Sequence, residues 1–380
     1  MTNVLIVADT RRSPEMRHEV PLMIPDPFLY AEVDGKRRVA VASPERSRID
    51  ALALDIDVTP LEELGVDELA RRGLTTDEFY RELYLRACRA FGLENALVPA
   101  EFPAGAADHL RAAGITLTVD GDHFRNRRRV KTEAELAGIG RAQRAAETAM
   151  ASAVDALRRS EARNGARVLE GEALTCEALK RLVNEAFALH DAAADESIVS
   201  HADQTAVGHD PGSGQISTDD VVLLDLFPVD KASGCYADMT RTFVVGDASD
   251  EIREYHRLVK KALDLAVAAV RPGVNGRDIH QLVCEFFHEH GYPTQLHKPD
   301  GAVLEDGFYH GTGHGVGLAV HEAPSIGRIG HELVTGDVIT IEPGLYRHGF
   351  GGVRLEDLVL VTETGGEVLT DFPYDLEVGP

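Results

Sequence analysis

The sequence predicts an α+β protein of two domains, in which a smaller N-terminal α/β domain precedes a larger C-terminal domain. Its 380 residues are enough for two hydrophobic cores. Helical and strand-like segments alternate along the chain, and a charged segment, RNRRR at residues 125–129, separates two such series. We therefore predict domains at residues 1–127 and 128–380.

The composition restricts the partners and the location that we expect. A formal net charge of -24 argues against nucleic acid and against an anionic membrane surface, because phosphate binding requires a basic face. The first residues, MTNVLIVADTRRSPEM, lack the basic start and long apolar core of a signal peptide. No segment approaches the roughly 20 apolar residues that a membrane span requires. We therefore expect a cytoplasmic protein.

The cysteines predict neither disulfides nor a zinc site. They are Cys88, Cys176, Cys235 and Cys284, and no two of them form a C-x-x-C pair. Because free cysteine is commonly a small buried residue, we expect four reduced thiols in the core.

In the first domain, short β-like runs alternate with helical stretches. VLIV near Asn3 and RRVAVAS from Arg37 predict strands, and the spacing of Leu, Phe and Tyr in residues 67–92 predicts a helix. Residues 93–114 then indicate a strand, a loop and a helix. No catalytic pattern is visible here. The segment RNRRR that follows is typical of a solvated linker, because runs of like charge usually face water.

The second domain is predicted to combine long helices with short strands. Thr132 and Glu135 have the spacing of a capping box at the head of a long amphipathic helix. The helical patterns cover residues 131–160, 171–190, 250–270 and 278–290. The strand patterns, rich in β-branched residues, are VVLLDLFP, YADMTRTFVVG, DVITIEPGLY and VRLEDLVLVTE.

Two aspartates lie where a β-hairpin would bring them together. Asp225 ends the apolar run VVLL, and Asp238 lies on the returning segment after a turn that contains Gly234. Their separation of 13 residues is compatible with carboxylates that face each other across the hairpin. Each aspartate alone is typical of a turn, so the pair gains meaning only from the residues that follow.

The segment YHGTGHGVGLAVHE adds three histidines, His310, His314 and His321. Its glycines disfavour a helix, because each interior glycine costs about 1 kcal/mol, so a strand or extended loop is expected. His310 and His314 then lie on the same side. One of them can bind a metal ion while the other approaches a substrate.

Two glutamates follow at strand ends. Glu342 closes the strand-like run VITI and precedes Pro343, which breaks the strand and leaves the carboxylate at its end. Arg354 and Glu356 are two residues apart in GGVRLEDLVLV and would share one face of a strand. We therefore expect Arg354 to hold the Glu356 carboxylate by charge-assisted hydrogen bonds.

Four carboxylates around one imidazole imply metal ions. The carboxylates would repel one another unless cations lay between them. Oxygen ligands with one imidazole suit divalent Mn, Co, Fe or Zn rather than a metal that prefers sulfur. A two-metal hydrolase site is therefore predicted at five residues, Asp225, Asp238, His314, Glu342 and Glu356.

The motifs around these residues resemble those of metallopeptidase family M24, the pita-bread group of prolidases, aminopeptidase P and methionine aminopeptidases. They are DLFPVDKASGCYADMTRTF, HGTGHGVGLAVHE, TIEPGLY and VRLEDLVLV. The resemblance covers residues 131–380 and implies a pita-bread fold for the C-terminal domain. The residues before it resemble the N-terminal domain of creatinases and prolidases, which favours the proline-directed branch.

The resemblance assigns the metal ligands. Asp225 would bind one ion, Asp238 and Glu356 would bridge both, and His314 with Glu342 would complete the other. One departure is visible, since the interval from Asp225 to Asp238 is two residues longer than the common family spacing. The resemblance places a longer turn at residues 230–233, and an even insertion keeps both carboxylates on the same face.

The resemblance also assigns the catalytic and substrate-side residues. Two cations would activate a bridging water, whose pKa falls from ~15.7 toward ~7 on metal binding, and the hydroxide would attack the scissile carbonyl. Glu342 would carry the proton from water to the leaving nitrogen, and His321 would stabilise the oxyanion. His310, also expected to be catalytic, would shape the pocket with His209. The expected residues that bind substrate are His209, His310, His321, Arg328 and Arg354.

The predicted function is hydrolysis of the Xaa-Pro bond in dipeptides or short peptides. Arg328, fourteen residues before Glu342, stands where prolidases hold the substrate carboxylate, which favours dipeptides over the longer peptides of aminopeptidase P. The same fold also serves C–N hydrolysis of a creatine-like amide and non-catalytic binding, but the intact ligands count against both. The resemblance suggests two ions of Mn or Co, with Zn or Fe also compatible, and a homodimer.

Overall fold

Helices and strands alternate throughout the computed structural model, which describes residues 2–379. The α+β class is therefore confirmed. Contacts within the chain divide it into two units between Arg128 and Arg129, one residue after the predicted boundary.

The N-terminal unit contains a six-stranded mixed sheet. Its strands are β1 (Val4–Ala8), β2 (Phe28–Val33), β3 (Lys36–Val41), β4 (Ile56–Pro60), β5 (Asn95–Val98) and β6 (Thr116–Val119). The order is β4-β3-β2-β1-β5-β6, with β2 antiparallel to both neighbours and the remaining pairs parallel. Its helices are α1 (Pro14–Glu19), α2 (Ser43–Asp50), α3 (Val66–Ala70), α4 (Thr76–Ala90), α5 (Ala104–Ala112) and α6 (Gly121–Arg127), with a 3₁₀ helix at Leu61–Leu64.

Strand β1 lies at the centre of this unit and supplies both of its cores. Leu5 packs on one face in a cluster with Leu83 of α4, while Ile6 packs on the other with Met16 of α1. Because successive side chains point to opposite faces, a strand covered on both sides requires the continuous apolar run VLIV.

The predicted helix over residues 67–92 is two helices, α3 and α4. Gly73 adopts a left-handed φ of 67°, which ends the helical path. Thr75 then begins α4 with a capping box, in which its hydroxyl accepts from the Glu78 N–H and the Glu78 carboxylate accepts from the Thr75 N–H.

The charged segment RNRRR is not a solvated linker, and that prediction is wrong. Arg127 binds Glu19 at 2.8 Å within the N-terminal unit. Arg129, 9% exposed, donates two hydrogen bonds to Asp337, at 2.9 and 2.6 Å, within the C-terminal unit. Arg127 is half-buried and Arg129 is buried because each has a carboxylate partner far away in the sequence, which charge density alone does not reveal.

The C-terminal unit consists of short strands in several small sheets and four helices. Its strands are β7 (Glu161–Arg163), β8 (Ala166–Leu169), β9 (Glu172–Ala173), β10 (Ala192–Ala193), β11 (Ile198–His201), β12 (Val221–Leu226), β13 (Val229–Asp230), β14 (Met239–Val244), β15 (Asp306–Gly307), β16 (Gly313–Gly315), β17 (Glu322–Ile326), β18 (Val338–Ile341), β19 (Gly344–Arg347), β20 (Gly351–Arg354), β21 (Asp357–Val361) and β22 (Gly366–Val368). Its helices are α7 (Glu133–Arg159), α8 (Cys176–Leu189), α9 (Asp250–Ala269) and α10 (Gly276–Glu289), with a 3₁₀ helix at Ala202–Ala206.

Each pair of helices covers a different sheet. Helices α7 and α8 pack on the sheet β11-β12-β14 through a core that includes Ala149, Leu179 and Leu224. Helices α9 and α10 pack on strands of the sheets β17-β16-β18-β21-β22 and β15-β19-β20 through a core that includes Leu263 and Ile339. The apolar face that each helix turns to its sheet accounts for the helical spacing seen in the sequence.

Most predicted elements of this unit are present, with shifted ends. Helix α7 begins at the predicted capping box of Thr132 and Glu135. The helix predicted from residue 171 begins only at Cys176, because Thr175 caps it and a strand precedes it. The pattern DVITIEPGLY forms two strands, β18 and β19, and the pattern VRLEDLVLVTE forms β20 and β21.

All four cysteines are buried thiols. Within residues 2–379, each helix is too short or too polar to cross a membrane.

Candidate metal centre

The hairpin with Asp225 and Asp238 keeps one register along its length. Asp225 in β12 lies opposite Thr240 in β14, and toward the turn the Asp230 N–H donates to the Cys235 carbonyl at 2.8 Å in the same register. Because side chains alternate in direction, an unbroken register puts Asp225 and Asp238 on the same face. The longer turn thus leaves the two carboxylates able to act together.

The other three ligand candidates reach this face from neighbouring strands. His314 is the central residue of β16, and Glu342 directly follows β18, where its N–H donates to the Thr312 carbonyl at 2.8 Å. Glu356 lies between β20 and β21, and its N–H donates to the Thr240 carbonyl at 3.1 Å. Backbone hydrogen bonds therefore fix both glutamates next to the strands that carry the other ligands.

Strand β16 needs glycine on both sides of His314. A Cβ at Gly313 would overlap the Thr340 carbonyl oxygen, and one at Gly315 would overlap the Ala323 carbonyl oxygen. The glycines of this motif therefore permit a close approach of backbones, which brings the imidazole up to the carboxylates.

The five side chains converge on one cavity of about 510 Å³. His314 Nε2 lies 3.8 Å from Asp238 Oδ2 and 3.8 Å from Glu342 Oε1. One ligand atom each from Asp238, His314 and Glu356 lie within 4.8 Å of one another. Asp225 lines the same cavity. The structure thus brings all five predicted ligands together.

The carboxylates are held in an environment that disfavours their charged form. Burial first, and the charge of Glu356 next, raise the pKa of Asp238 well above its usual value. Burial and the charge of Glu342 do the same to the pKa of Glu356. Burial also raises the pKa of Glu342 to about 8. Without positive charge between them, burial and mutual repulsion therefore disfavour ionisation of all three groups.

Two carboxylate oxygens of the five ligand candidates lack a hydrogen-bond partner among the described residues. They are Asp225 Oδ1 and Asp238 Oδ1, which accept no hydrogen bond. Buried polar atoms of this kind are costly unless something else satisfies them. Unpartnered carboxylate oxygens beside an imidazole are the donor set that divalent transition-metal ions bind, so the residues fit a metal centre.

The protonation state of His314 also suits metal binding. Burial and neighbouring His321 lower its pKa to about 3, so the ring is neutral at pH 7. Its Nδ1 lies 3.1 Å from the Gly315 carbonyl, and we therefore assign the proton to Nδ1. The lone pair of Nε2 then points toward Asp238 and Glu342, as a metal ligand requires.

Arg354 has a different partner from the predicted one. Its Nη2 donates to Asp225 Oδ2 at 2.7 Å, whereas Glu356 Oε2 accepts from the Thr240 hydroxyl at 2.7 Å. The prediction of an Arg354–Glu356 pair assumed one continuous strand, but β20 ends at Arg354 and β21 begins at Asp357. The two side chains therefore do not share a strand face, although Arg354 still fixes a ligand carboxylate.

All three histidines that were expected on the substrate side line the cavity. They are His209, His310 and His321. The His321 ring lies edge-on to His314, with centroids 4.2 Å apart. Arg328 is exposed and is absent from the part of the cavity lining that the structure describes, so its role as a carboxylate anchor stays a prediction.

Tyr346 is a site residue that the sequence interpretation missed. Its hydroxyl lies 2.8 Å from His310 Nε2 and accepts from Arg354 Nη1 at 3.1 Å. The other His310 nitrogen, Nδ1, lies 2.7 Å from the Gly311 carbonyl. Both ring nitrogens of His310 are therefore engaged within the protein. The sequence did contain a signal for Tyr346, because this residue belongs to the motif TIEPGLY and lies two residues after a strand-breaking Pro-Gly pair.

The cavity also has an apolar wall that the motifs did not indicate. Its members come from several segments far apart in sequence and are Ile198, Val207, Phe227, Tyr309 and Val320. Isolated apolar residues carry no site signal in a sequence, because most of them belong to a core.

Comparison with known proteins agrees with this centre. The family described as metallopeptidase family M24 matches residues 137–363. A curated Xaa-Pro dipeptidase of Pyrococcus furiosus is 33% identical over 257 residues, which cover 67% of this chain and 67% of that protein. One from Pyrococcus horikoshii is 31% identical over 305 residues, covering 79% and 78%.

A solved structure extends the likeness to the whole fold. The X-Pro aminopeptidase of Thermotoga maritima superposes with a TM-score of 0.78 at 20% identity, covering 98% of this chain and 97% of that one. The expected pita-bread architecture with an N-terminal domain is confirmed. With the family match and the two dipeptidase relatives, the conclusion is that this chain belongs to metallopeptidase family M24, in its prolidase and aminopeptidase P branch.

Proposed function

We propose that the protein is a dinuclear metal-dependent peptidase that hydrolyses the Xaa-Pro bond, with dipeptides as its preferred substrates. The observation that carries the proposal is the convergence of three buried carboxylates, the half-buried Glu342 and His314 on one cavity, with unpartnered oxygens on Asp225 and Asp238. The names of the two Pyrococcus relatives support the choice of bond and of substrate length.

The five ligands would hold two divalent cations, which supply Lewis acidity for a water molecule and for the scissile carbonyl. Glu342 accepts the proton of the attacking water and delivers it to the leaving nitrogen, because its carboxylate lines the cavity beside His314, where the water would lie. His321 donates a hydrogen bond to the carbonyl oxygen as negative charge develops there.

The remaining residues orient these groups. Arg354 holds Asp225 by a hydrogen bond of 2.7 Å and Tyr346 by one of 3.1 Å. Through Tyr346 it also fixes the ring of His310, so the substrate-side wall is positioned before a peptide arrives. His310 therefore orients the substrate and shapes the pocket.

The lining of the cavity supports selection of proline. A proline ring is apolar, and the cavity wall that contains Ile198, Phe227 and Val320 offers it an apolar surface. An Xaa-Pro bond has no amide N–H, so its recognition requires no acceptor at that position. A site that satisfies a tertiary amide in this way favours Xaa-Pro over Xaa-Ala.

The finer features of the proposal are the metal, the assembly and the location. We assign Mn or Co as the native ions, a homodimer as the assembly and the cytoplasm as the compartment. The oxygen-rich ligand set supports a metal of this kind. The resemblance in sequence supports the homodimer. The acidic composition, which disfavours an anionic membrane surface, supports the compartment.

Assays of purified protein with Mn²⁺ or Co²⁺ test the proposal. The substrates are Xaa-Pro dipeptides, Xaa-Pro-Xaa tripeptides and Xaa-Ala dipeptides, and a Glu356→Gln variant controls for contaminating peptidases. We expect metal-dependent cleavage of Xaa-Pro dipeptides only. Cleavage of tripeptides alone would indicate an aminopeptidase, and equal cleavage of Xaa-Ala would contradict the choice of proline. A protein without bound metal and without hydrolysis would contradict the enzyme itself.

A further inference from the structure

An ion pair joins helix α7 to the tip, residues 230–233, of the hairpin that carries Asp225 and Asp238. Asp230, 3% exposed, accepts hydrogen bonds from Arg141 Nε at 3.0 Å and Nη2 at 2.8 Å. The same carboxylate also accepts from the Ser233 N–H at 2.8 Å and from the Ser233 hydroxyl at 2.5 Å. All of these contacts lie at the part of the hairpin where the interval between the ligand aspartates is longer than usual.

A second contact on the same helix face fixes the distance between the tip and the helix. Gly138 lies three residues before Arg141 in α7, and a Cβ at Gly138 would overlap the Ser233 hydroxyl oxygen. Residues three apart in a helix share one face. The turn therefore lies directly on the helix backbone and is held there by the arginine.

The returning limb of the hairpin, residues 235–238, connects the Arg141–Asp230 ion pair to the metal centre. Cys235 and Ala237 are buried in a cluster with Ile139 of α7. Between them, the Tyr236 N–H donates to the Gly317 carbonyl at 2.8 Å, in the segment between His314 and His321. Asp238 is the next residue along the limb. A shift of the tip would therefore displace a proposed bridging ligand and the loop of a proposed catalytic histidine.

The charge of Asp230 is stable under ordinary conditions. Burial acts to raise its pKa, but hydrogen bonds from Arg141 and Ser233 outweigh burial and lower it. A buried carboxylate that lost the arginine would keep only the Ser233 donors, so the turn would have to rearrange.

We propose that the Arg141–Asp230 ion pair is a positioning element of the metal centre. It sets the place of the hairpin limb, so that Asp238 faces His314 and Glu356 in the geometry that two cations require. Within residues 2–379, the side-chain hydrogen bonds of Arg141 and Asp230 join them to each other and to Ser233 rather than to a ligand, so they act through the limb. The inference rests on the proposed function for its view of Asp238 as a ligand, and metal binding tests it without any substrate.

The test compares Arg141→Met and Arg141→Lys with a matched control on the same helix. Arg159→Met is that control, because Arg159 also lies on α7 and pairs with an aspartate, Asp155, at 3.1 Å, but both side chains are more than half exposed. Co²⁺ alone is titrated into each metal-free protein, and its visible absorption reports ligand geometry. Thermal unfolding of the metal-free proteins gives their stability.

We expect Arg141→Met to weaken Co²⁺ binding about tenfold, at the lower end of the range for residues that support ligands, and to change the Co²⁺ spectrum. The kcat for an Xaa-Pro dipeptide should fall more than KM changes. Arg141→Lys keeps the charge and should recover part of the affinity and of the spectrum. Arg159→Met should match the wild type in Co²⁺ affinity, in the Co²⁺ spectrum and in kcat.

A purely structural role predicts a different result. If Arg141→Met lowered the unfolding temperature but bound Co²⁺ with the affinity and spectrum of the wild type, the positioning role would be wrong. If Arg141→Met did not fold, Arg141→Lys and Ser233→Ala would decide, since wild-type Co²⁺ binding in both would also contradict it. A wild-type protein that binds Co²⁺ but cleaves no Xaa-Pro bond would contradict the proposed function alone.

Discussion

The two units of the chain each contain a cavity of similar size, yet only one has the properties of a reactive site. The cavity of the N-terminal unit measures about 560 Å³ and that of the C-terminal unit about 510 Å³. Both are lined by aspartates and by at least one arginine. Volume and the kinds of charged residue therefore do not by themselves explain the difference.

The two cavities differ in the hydrogen bonds that their buried carboxylates accept. In the N-terminal cavity, Asp9 Oδ1 accepts from the N–H groups of Arg11 and Arg12, and Oδ2 accepts from Arg12 Nε at 2.8 Å. Burial acts to raise the pKa of Asp9, but the bonds from Arg12 outweigh it and lower the pKa. In the C-terminal cavity, Asp238 has a raised pKa and an oxygen without a donor.

This contrast shows which cavity can do chemistry. A carboxylate whose bonds are complete stabilises the fold and has no capacity left for a ligand. A buried carboxylate with incomplete bonds destabilises the fold until something positive binds, so it marks a site. The following experiments test the contrast from the largest expected effect to the smallest.

The largest effect is expected from Glu342→Gln in the C-terminal cavity. Glutamine keeps an oxygen near His314 but cannot carry a proton, so kcat for an Xaa-Pro dipeptide should fall about 10²–10⁴-fold. Steady-state kinetics with added Co²⁺ measures this loss. Retained activity together with normal Co²⁺ binding would show that another group moves the proton. As the N-terminal counterpart, Asp77→Asn should leave kcat unchanged.

Arg354→Lys should weaken metal binding by about 10–100-fold, the range for residues that hold ligands in place. Lysine keeps the charge but cannot reach Asp225, Tyr346 and Thr240 together, as the guanidinium does. Titration with Co²⁺ checks the affinity. The matched change in the N-terminal cavity is Arg12→Lys, and an equal loss of affinity there would contradict the contrast between the two cavities.

The metal-free protein should lose stability in its C-terminal unit as the pH rises. The pKa of Glu342 is about 8 in the folded state against an ordinary value of 4.5, so its contribution is complete below pH 4.5 and is lost as the pH rises to about 8. The expected slope is at most about 1.4 kcal/mol per pH unit for each such group.

Unfolding of the metal-free protein at pH 5 and pH 8, with and without Co²⁺, measures this effect. Added Co²⁺ should restore stability at pH 8, because cations neutralise the charged carboxylates. Asp9 predicts the opposite direction, since its lowered pKa gives stability that is lost only as the pH falls below its ordinary value of 3.8. A C-terminal unit whose metal-free stability did not change between pH 5 and pH 8 would contradict the raised pKa.

The smallest effect is a difference in sign between two identical substitutions. Asp238→Asn should stabilise the metal-free protein by about 1 kcal/mol, because it removes a carboxylate whose charged form is disfavoured by burial and by the neighbouring Glu356. Asp9→Asn should destabilise it by a similar ~1 kcal/mol, because it weakens the bonds from Arg12. Denaturant unfolding of both metal-free variants gives the two values. The same sign in both variants would remove the distinction between the two cavities.

The sequence was sufficient to predict five residues that meet in one cavity, because carboxylates, histidine and glycine each leave a distinct mark at the end of a short strand. It was insufficient where a residue depends on a distant partner. The carboxylate of Asp337 that buries Arg129 lies 208 residues away, so no local pattern could reveal it. Arg354 was given the wrong partner because the break between β20 and β21 depends on how two sheets meet. Tyr346 was missed because tyrosine is rarely a ligand.

The close approach of backbones around β16 has a consequence for protein engineering. This strand of three residues carries a single side chain beyond hydrogen, that of His314, because its two glycines face neighbouring carbonyl groups. Randomising the strand itself would therefore explore almost no usable variation. A library aimed at a different metal preference should keep Thr312 and Thr340, which are fully buried and hydrogen-bonded to His280 and to the His314 N–H. It should instead vary residues that line the cavity without being buried, such as Val207 and Val320.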